Sequence, residues 1–259
     1  LNGAGSAWMG GFVVVTTVMI MFYYSVVTGW ALKYAIAAGT GLLGRIDPGP
    51  FWSDYSTSFW QPSLFHILSI GVAGVIVARG VTEGIERASR ILIPILFGLL
   101  LCAVGRAVTL PGASAGLAFL FVPDFAAFMN YQTWLEALTQ SAWSTGAGWG
   151  LLLSYAIYVK NTENVVSQAI RIGVGNNLAS ILAAMAILPA AFAVLTPLEA
   201  RDALSSGNIG LTFVWIPRLF NQMPAGNYLL PVFFVALFCA ALSSLIAMVE
   251  LASRALIDR

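Results

Sequence analysis

The stretch Gln140-Ser141-Ala142-Trp143-Ser144-Thr145-Gly146-Ala147-Gly148-Trp149-Gly150 decides the fold, because it interrupts an otherwise membrane-spanning apolar run. A helix that crosses lipid must satisfy its own backbone hydrogen bonds, since hydrocarbon offers no partners. The three glycines weaken that hydrogen-bond ladder at mid-depth. Such a break is stable only where the freed N–H and C=O groups face a buried ligand or water. The stretch therefore predicts two half-helices joined by an unwound segment.

The composition of the chain is that of a protein embedded in a membrane. Of its 259 residues, 59% are hydrophobic and 9% are charged, whereas about 25% of residues are charged in ordinary soluble domains. The mean hydropathy is +0.86, and several apolar runs reach the roughly 20 residues that a membrane-crossing helix needs. We therefore expect an all-α polytopic membrane protein whose surroundings are the lipid bilayer. The net charge of +1 gives no reason to expect a nucleic-acid partner.

The positions of the apolar runs predict six spans. They are expected at residues 7–43, 62–77, 91–108, 133–159, 172–194 and 228–255, with the fourth broken at the glycines. The outer loops are then 45–61, 109–132 and 196–227, and the last is apolar enough around Phe213 to carry short helices. Pro189 predicts a kink or a stop near the end of the fifth span. Basic residues cluster in short loops on one side, which places Leu1 and Arg259 in the cytoplasm.

Uncharged polar residues recur inside the spans at helical spacing. Gln140 and Ser144 share one helix face at i, i+4, and so do Asn176 and Ser180; Ser243 and Ser244 follow Ala240 in the last span. Hydroxyl and amide oxygens suit a hard cation such as sodium, while their donor groups suit an anion. Two ordinary roles stay open: an interhelical hydrogen bond for the asparagine, and bonds from each serine back to its own helix.

The residues that an enzyme would need are scarce. His66 is the single histidine, so a histidine metal cage is excluded and a catalytic triad is improbable. Cys102 and Cys239 lie in apolar runs, where cysteine acts as a small core residue. The carboxylates form no paired arrangement of the kind that acid–base chemistry requires. The sequence therefore predicts a protein that is not an enzyme.

Several motifs together resemble those of the neurotransmitter:sodium symporter family. They are Phe121-Val122-Pro123-Asp124-Phe125 before the broken helix, Gly80 with Glu83-Gly84-Ile85-Glu86-Arg87, the break itself, and Ala240-Ala241-Leu242-Ser243-Ser244. The resemblance covers nearly the whole chain and implies helices 3 to 8 of the inverted-repeat, leucine-transporter-like fold. Residues 1–110 would then end the first repeat, and residues 133–259 would begin the second. Since the chain opens at Leu1 directly with a membrane run, we expect a fragment of a longer protein that is inactive alone.

The resemblance also implies ligands for ions and substrate. One sodium ion is expected at Ser144 and Asn176, and a second at the Ala240 backbone oxygen, Ser243 and Ser244. Chloride is expected at Gln140, Ser144, Asn176 and Ser180, because chloride-dependent members carry a serine where some bacterial members carry a glutamate. The substrate residues implied are Ile20, Tyr24, Trp143, Gly146 and Trp149, with the Tyr24 hydroxyl on the substrate carboxylate and the Gly146 region presenting carbonyls to an ammonium group. For the aromatic residues, lipid-facing or interfacial packing stays open.

The function implied is sodium-coupled symport of an amino acid or related small amine by alternating access. A transporter-like receptor or channel without coupled transport is the alternative. Sodium is the implied co-substrate, chloride a second ion and a small molecule the cargo; the pattern predicts no particular oligomeric state. We expect a multi-pass protein of the plasma (inner) membrane.

Overall fold

The computed structural model describes residues 4–146, 148–158 and 164–257, and every regular element in these ranges is helical. The helices are α1 Ala4–Gly39, α2 Pro48–Thr57, α3 Trp60–Ala78, α4 Arg87–Val108, α5 Ala113–Phe121, α6 Tyr131–Thr145, α7 Leu151–Ala156, α8 Val165–Val194, α9 Pro197–Ser205, α10 Gly207–Gly210, α11 Ile216–Gln222 and α12 Gly226–Ile257. Short 3-10 turns at Leu42–Gly44 and Ala127–Met129, and π-turns at Val81–Glu86 and Leu211–Trp215, complete the order.

Within the described ranges, five helices are long and apolar enough to cross a membrane, namely α1, α3, α4 with the turn before it, α8 and α12. The fourth predicted span, the broken one, is present as two pieces, α6 and α7, each too short to cross alone. The all-α membrane fold is therefore confirmed. The predicted end of this span, at Val159, lies outside the described residues.

Helix α12 is the centre of the bundle. It packs against α1, α3 and α4, and large side chains on it, such as Phe234 and Met248, are completely buried. A helix that is apolar on all sides is stable only when neighbours surround it. Because α1 lies along α12 and α7 approaches its second half, α12 brings the broken helix and the first span to one place.

Close packing of α1 on α3 depends on Gly29. A Cβ at this position would lie 2.8 Å from the backbone nitrogen of His66. Glycine therefore lets the two helix backbones touch, as small residues do in membrane bundles. This contact fixes the rotation of α1 and hence the direction in which Tyr24, more than one turn earlier, points.

The three segments expected to be outer loops contain more helix than predicted. The expected loop 45–61 contains α2, which begins where the Asp47 carboxylate accepts a hydrogen bond from the Gly49 N–H at 3.1 Å and Pro48 occupies the first turn. The expected loop 109–132 contains α5. In 196–227, short helices are present as predicted, and the first is capped by reciprocal bonds between Thr196 and Glu199.

The structure confirms one end of the predicted fifth span and corrects the other. The helix begins at Val165 rather than near residue 172, because the Asn164 side chain accepts the Ser167 N–H at 3.0 Å and caps the first turn. The helix ends at Val194, as predicted, and Pro189 lies inside it, so the proline does not stop the helix. Apolar residues mark the part of a helix in lipid, whereas caps mark where the helix starts.

Candidate functional site

The glycine break is present as predicted. Helix α6 ends at Thr145, and Gly146 caps it in the left-handed conformation with φ 65° and ψ 30°. Gly148 and Gly150 also have positive φ values, 81° and 75°. Non-glycine residues adopt this region only at a cost. The prediction of two half-helices around an unwound segment is confirmed; Ala147, inside the break, lies outside the described residues.

Protein groups satisfy part of the backbone that the break frees. The Trp149 N–H donates to the Gly146 carbonyl at 3.1 Å, closing a tight turn. The Trp149 carbonyl accepts a hydrogen bond from the Thr17 hydroxyl of α1. Gly150 lies against Val13, which is one turn before Thr17 on α1. The break is therefore seated on α1.

A cavity of about 430 Å³ opens beside the break. Its walls come from α1, α4, α12 and both halves of the broken helix. Seven residues singled out from the sequence line it: Tyr24, Trp143, Ser144, Gly146, Trp149, Ser243 and Ser244. The fold thus gathers residues that are more than 200 positions apart in the chain. A volume of this order suits a small-molecule ligand, since such pockets measure about 300–1,000 Å³.

The two serines of α12 form the polar side of this cavity. Ser243 and Ser244 donate their hydroxyl hydrogens to the Ala240 carbonyl, at 2.8 and 3.4 Å. Each oxygen keeps its lone pairs, which are the groups a sodium ion would use. The Tyr24 side chain lies within hydrogen-bonding reach of Ser244. The ordinary serine back-bond and a cation-binding role are therefore compatible, although the Ala240 oxygen already accepts both hydroxyls.

Ser144 and Asn176 join α6 to α8. The Asn176 amide nitrogen donates to the Ser144 oxygen at 2.8 Å, and the Ser144 hydroxyl lies 3.1 Å from the Asn176 amide oxygen. This is the interhelical bond that the sequence left open, made by the two residues of the expected first sodium site. One hydroxyl oxygen and one amide oxygen, from two different helices, thus lie 3.1 Å apart.

The fold brings together only some of the four residues expected to bind chloride. Ser180 lies one turn after Asn176 and donates to its carbonyl at 3.1 Å. Asn176, Ser180 and Ala240 line a second cavity of about 350 Å³ between α4, α8 and α12. Gln140 is exposed on α6 and lines neither of the two cavities. Hydrogen bonds thus join Asn176 to both Ser144 and Ser180, whereas Gln140, one turn before Ser144 on α6, lines neither cavity.

Of the residues expected to bind substrate, four line the 430 Å³ cavity and Ile20 does not. The rings of Trp143 and Trp149 meet edge to face, with centroids 4.8 Å apart, and form an aromatic wall. The Gly146 carbonyl is occupied by the Trp149 N–H. Ile20 packs into the cluster around Met21 on α1 and does not line the 430 Å³ cavity.

Several residues that line the cavity were not predicted from the sequence. They are Ser89, Ile93, Thr145, Leu151, Leu152, Tyr155, Ala247 and Met248. Helical spacing could have found the last two, because they follow Ser243 and Ser244 by one turn on the same face. Ser89 and Ile93 belong to α4, and only the packing of α4 against α12 brings them here.

A buried carboxylate lies on α12 beyond the cavity. Glu250 is 4% exposed and accepts hydrogen bonds from the Tyr158 hydroxyl at 2.6 Å and from Arg254 at 3.0 Å. The Arg254 guanidinium also stacks over the Tyr158 ring at 5.0 Å. These contacts tie the region after α7 to α12.

Comparisons with known proteins agree with this architecture. The model of the "Sodium:neurotransmitter symporter family" matches residues 57–259. An uncharacterized sodium-dependent transporter of Methanocaldococcus jannaschii is 30% identical over 98% of this chain and 54% of its own length. A second, YhdH of Bacillus subtilis, is 32% identical over 95% of this chain and 53% of its own.

A solved structure is similar as well. The crystal structure of MhsT in complex with L-phenylalanine superposes with a TM-score of 0.84 at 31% identity, over 97% of this chain and 56% of that protein. The chain spans about half the length of the relatives it matches. The family is one of transporters, so the expectation that the protein is not an enzyme is confirmed. By sequence and by fold, this chain belongs to the sodium:neurotransmitter symporter family.

Proposed function

We propose that the chain is part of a sodium-coupled transporter for an amino acid or a related small amine, and that it contributes some of the residues of the ion and substrate sites. One observation carries the proposal: the glycine break, Tyr24 and the α12 serines meet at a single cavity of about 430 Å³. Transport would proceed by alternating access around this site, in a multi-pass protein of the plasma membrane.

The chemistry of the cavity suits an amino acid. The Tyr24 hydroxyl can donate to a carboxylate, and the edge-to-face pair of Trp143 and Trp149 can pack against an apolar side chain. Helix α6 ends at the cavity, and the negative end of its dipole favours an ammonium group or a sodium ion there. L-phenylalanine, the ligand of the similar MhsT structure, combines these features and is a suitable first probe.

Two groups of oxygens can hold the co-transported sodium. Ser144 and Asn176 offer a hydroxyl and an amide oxygen from facing helices. Ser243 and Ser244 offer hydroxyl lone pairs from α12. Uncharged oxygens suit sodium because it is a hard cation with no preference for nitrogen or sulfur ligands. A protein that binds substrate and sodium side by side couples the two by binding both most tightly in one conformation.

The test is uptake of radiolabelled L-phenylalanine by liposomes that contain the full-length protein of which residues 1–259 are a part. We expect uptake with a sodium gradient and none with potassium. Ser243→Ala should raise the sodium concentration for half-maximal uptake at least about threefold, because one hydroxyl ligand is lost. Ser253→Ala is the matched control, since Ser253 also bonds back to α12 but lies outside the cavity.

Other outcomes separate the alternatives. Uptake that is indifferent to sodium would reject coupling. Binding of L-phenylalanine without uptake would favour the receptor, and a substrate-gated current without accumulation would favour the channel. If none of the common amino acids is bound or taken up, the substrate class is wrong.

We also propose chloride as a second ion near Ser144, Asn176 and Ser180. The contact between the first two and the position of Ser180 one turn beyond support this assignment. Replacement of chloride by gluconate should then lower sodium-driven uptake. Uptake that is equal in the two anions would remove chloride from the proposal.

A further inference from the structure

Thr17 connects α1 to the break. Its side chain is completely buried, and its hydroxyl donates to the carbonyl of Trp149, 132 positions along the chain. Two other buried hydroxyls of α1 behave differently. Ser25 donates to Phe22 and Thr28 to Tyr24, both within the same helix. The Thr17 hydroxyl therefore makes a hydrogen bond to a distant part of the chain, whereas the hydroxyls of Ser25 and Thr28 bond within α1.

The acceptor of this bond is a carbonyl that the break removes from the helix ladder. Trp149 lies between the left-handed Gly148 and Gly150, outside both α6 and α7, so its carbonyl belongs to neither helical ladder. A buried carbonyl without a partner is unfavourable. The Thr17 hydroxyl supplies that partner and so selects one orientation of the peptide after Trp149.

The orientation of this peptide governs the aromatic wall. The Trp149 N–H is held by Gly146 on one side, and Gly150 is held against Val13 on the other. With its backbone fixed at both ends, the Trp149 ring meets Trp143 edge to face at 4.8 Å and lines the cavity. Loss of the Thr17 bond would leave the backbone free to rotate and the ring free to leave this position.

We infer that Thr17 is a positioning residue for substrate: its hydroxyl holds the Trp149 peptide so that the two indoles form one wall of the cavity. The inference rests on the proposed function. It does not require Thr17 to touch substrate, since Thr17 is not among the residues that line the cavity. Its effect should therefore fall on substrate affinity and not on the maximal rate.

The test compares Thr17→Val with the wild type in the sodium-driven L-phenylalanine uptake assay. Valine keeps the shape of threonine and removes the hydroxyl. We expect KM to rise about 3- to 20-fold, as for a hydrogen bond inside a membrane bundle, with an unchanged maximal rate. Thr17→Ser keeps the hydroxyl and should restore the wild-type KM. Ser25→Ala removes an equally buried hydroxyl, about two turns further along α1, whose bond to the Phe22 carbonyl touches neither the break nor the cavity; it should leave KM unchanged.

A second readout is amide hydrogen exchange of the segment 143–152 in the full-length protein. Thr17→Val should speed exchange in this segment, and Ser25→Ala should not. If Thr17→Val does not fold, the pair Thr17→Ser and Thr17→Ala makes the same comparison. An unchanged KM in the valine or alanine variant, or a failure of serine to restore it, would overturn the inference alone. Absence of sodium-driven uptake in the wild type would overturn the proposed function and this inference together.

Discussion

Replacing Gly150 by alanine tests whether the break is seated on α1 as the structure has it. A Cβ at position 150 would lie 2.7 Å from the Cγ1 of Val13 and 3.2 Å from the Cδ1 of Leu251. The residue also has φ 75°, where alanine is strained. Gly148 provides the matched control, because it has φ 81° but no described atom lies within 4 Å of the position that a Cβ would take. The two variants thus share the backbone strain and differ in the collision.

The magnitude follows from these two contributions. Left-handed backbone at a non-glycine residue costs about 1–2 kcal/mol in either variant. The collision with Val13 adds about 1–3 kcal/mol in Gly150→Ala alone, as for an overpacked core. Val13 cannot turn away easily, because a valine in a helix has one strongly preferred rotamer. Leu251 can move, since its Cδ1 is the end of a flexible side chain.

The assay is the thermal midpoint of the purified protein in detergent. Each kcal/mol corresponds to about 2–4 °C for a domain of this size, so Gly150→Ala should melt several degrees below Gly148→Ala. Adding Val13→Ala should recover most of this extra loss, which makes the pair a double-mutant cycle. Equal midpoints for the two glycine variants, or a double variant no better than the sum of the singles, would refute the seat on α1.

Two further predictions concern charged groups outside the cavity. Arg254→Met leaves the buried Glu250 carboxylate without its cation and should lower the free energy of unfolding by on the order of 3 kcal/mol. Arg90→Met is the control: it breaks an exposed pair of the same i, i+4 spacing, with Glu86, and should cost under about 0.5 kcal/mol. Similar losses of thermal stability in the two variants would contradict this prediction. The pKa of Asp47 is held below its usual value of 3.8, mainly by the hydrogen bond from the Gly49 N–H and secondly by the one from Arg218. The Asp47 carboxylate therefore contributes its full stabilisation of the fold above pH 3.8, and this stabilisation is lost as the pH falls through the lowered pKa. The thermal midpoint of Asp47→Asn should therefore differ from the wild type by a constant amount between about pH 7 and pH 5 and converge with it in stronger acid; a difference that persists unchanged in acid would contradict the assignment.

Local features of the chain were predicted well. The apolar runs placed the spans, because the thickness of a membrane sets the length of a crossing helix. The glycines of 146–150 placed the break, because conformational freedom belongs to the residue itself. Helix ends were predicted less well. The cap at Asn164 and the helix start at Asp47 depend on single side-chain bonds that an apolar run does not mark.

The candidate site shows the same division. The sequence alone determined the kinds of residue at each helix position: hydroxyls at 243 and 244, an amide at 176, and glycines and indoles around the break. Tertiary structure decided which of them meet. It brought Tyr24 to Ser244, placed the Thr17 hydroxyl on the Trp149 carbonyl, and left Ile20 and Gln140 outside the cavity. The physical reason is that the rotation and depth of each helix are set by close packing against distant partners, as at Gly29 and Gly150, and no local pattern records those contacts.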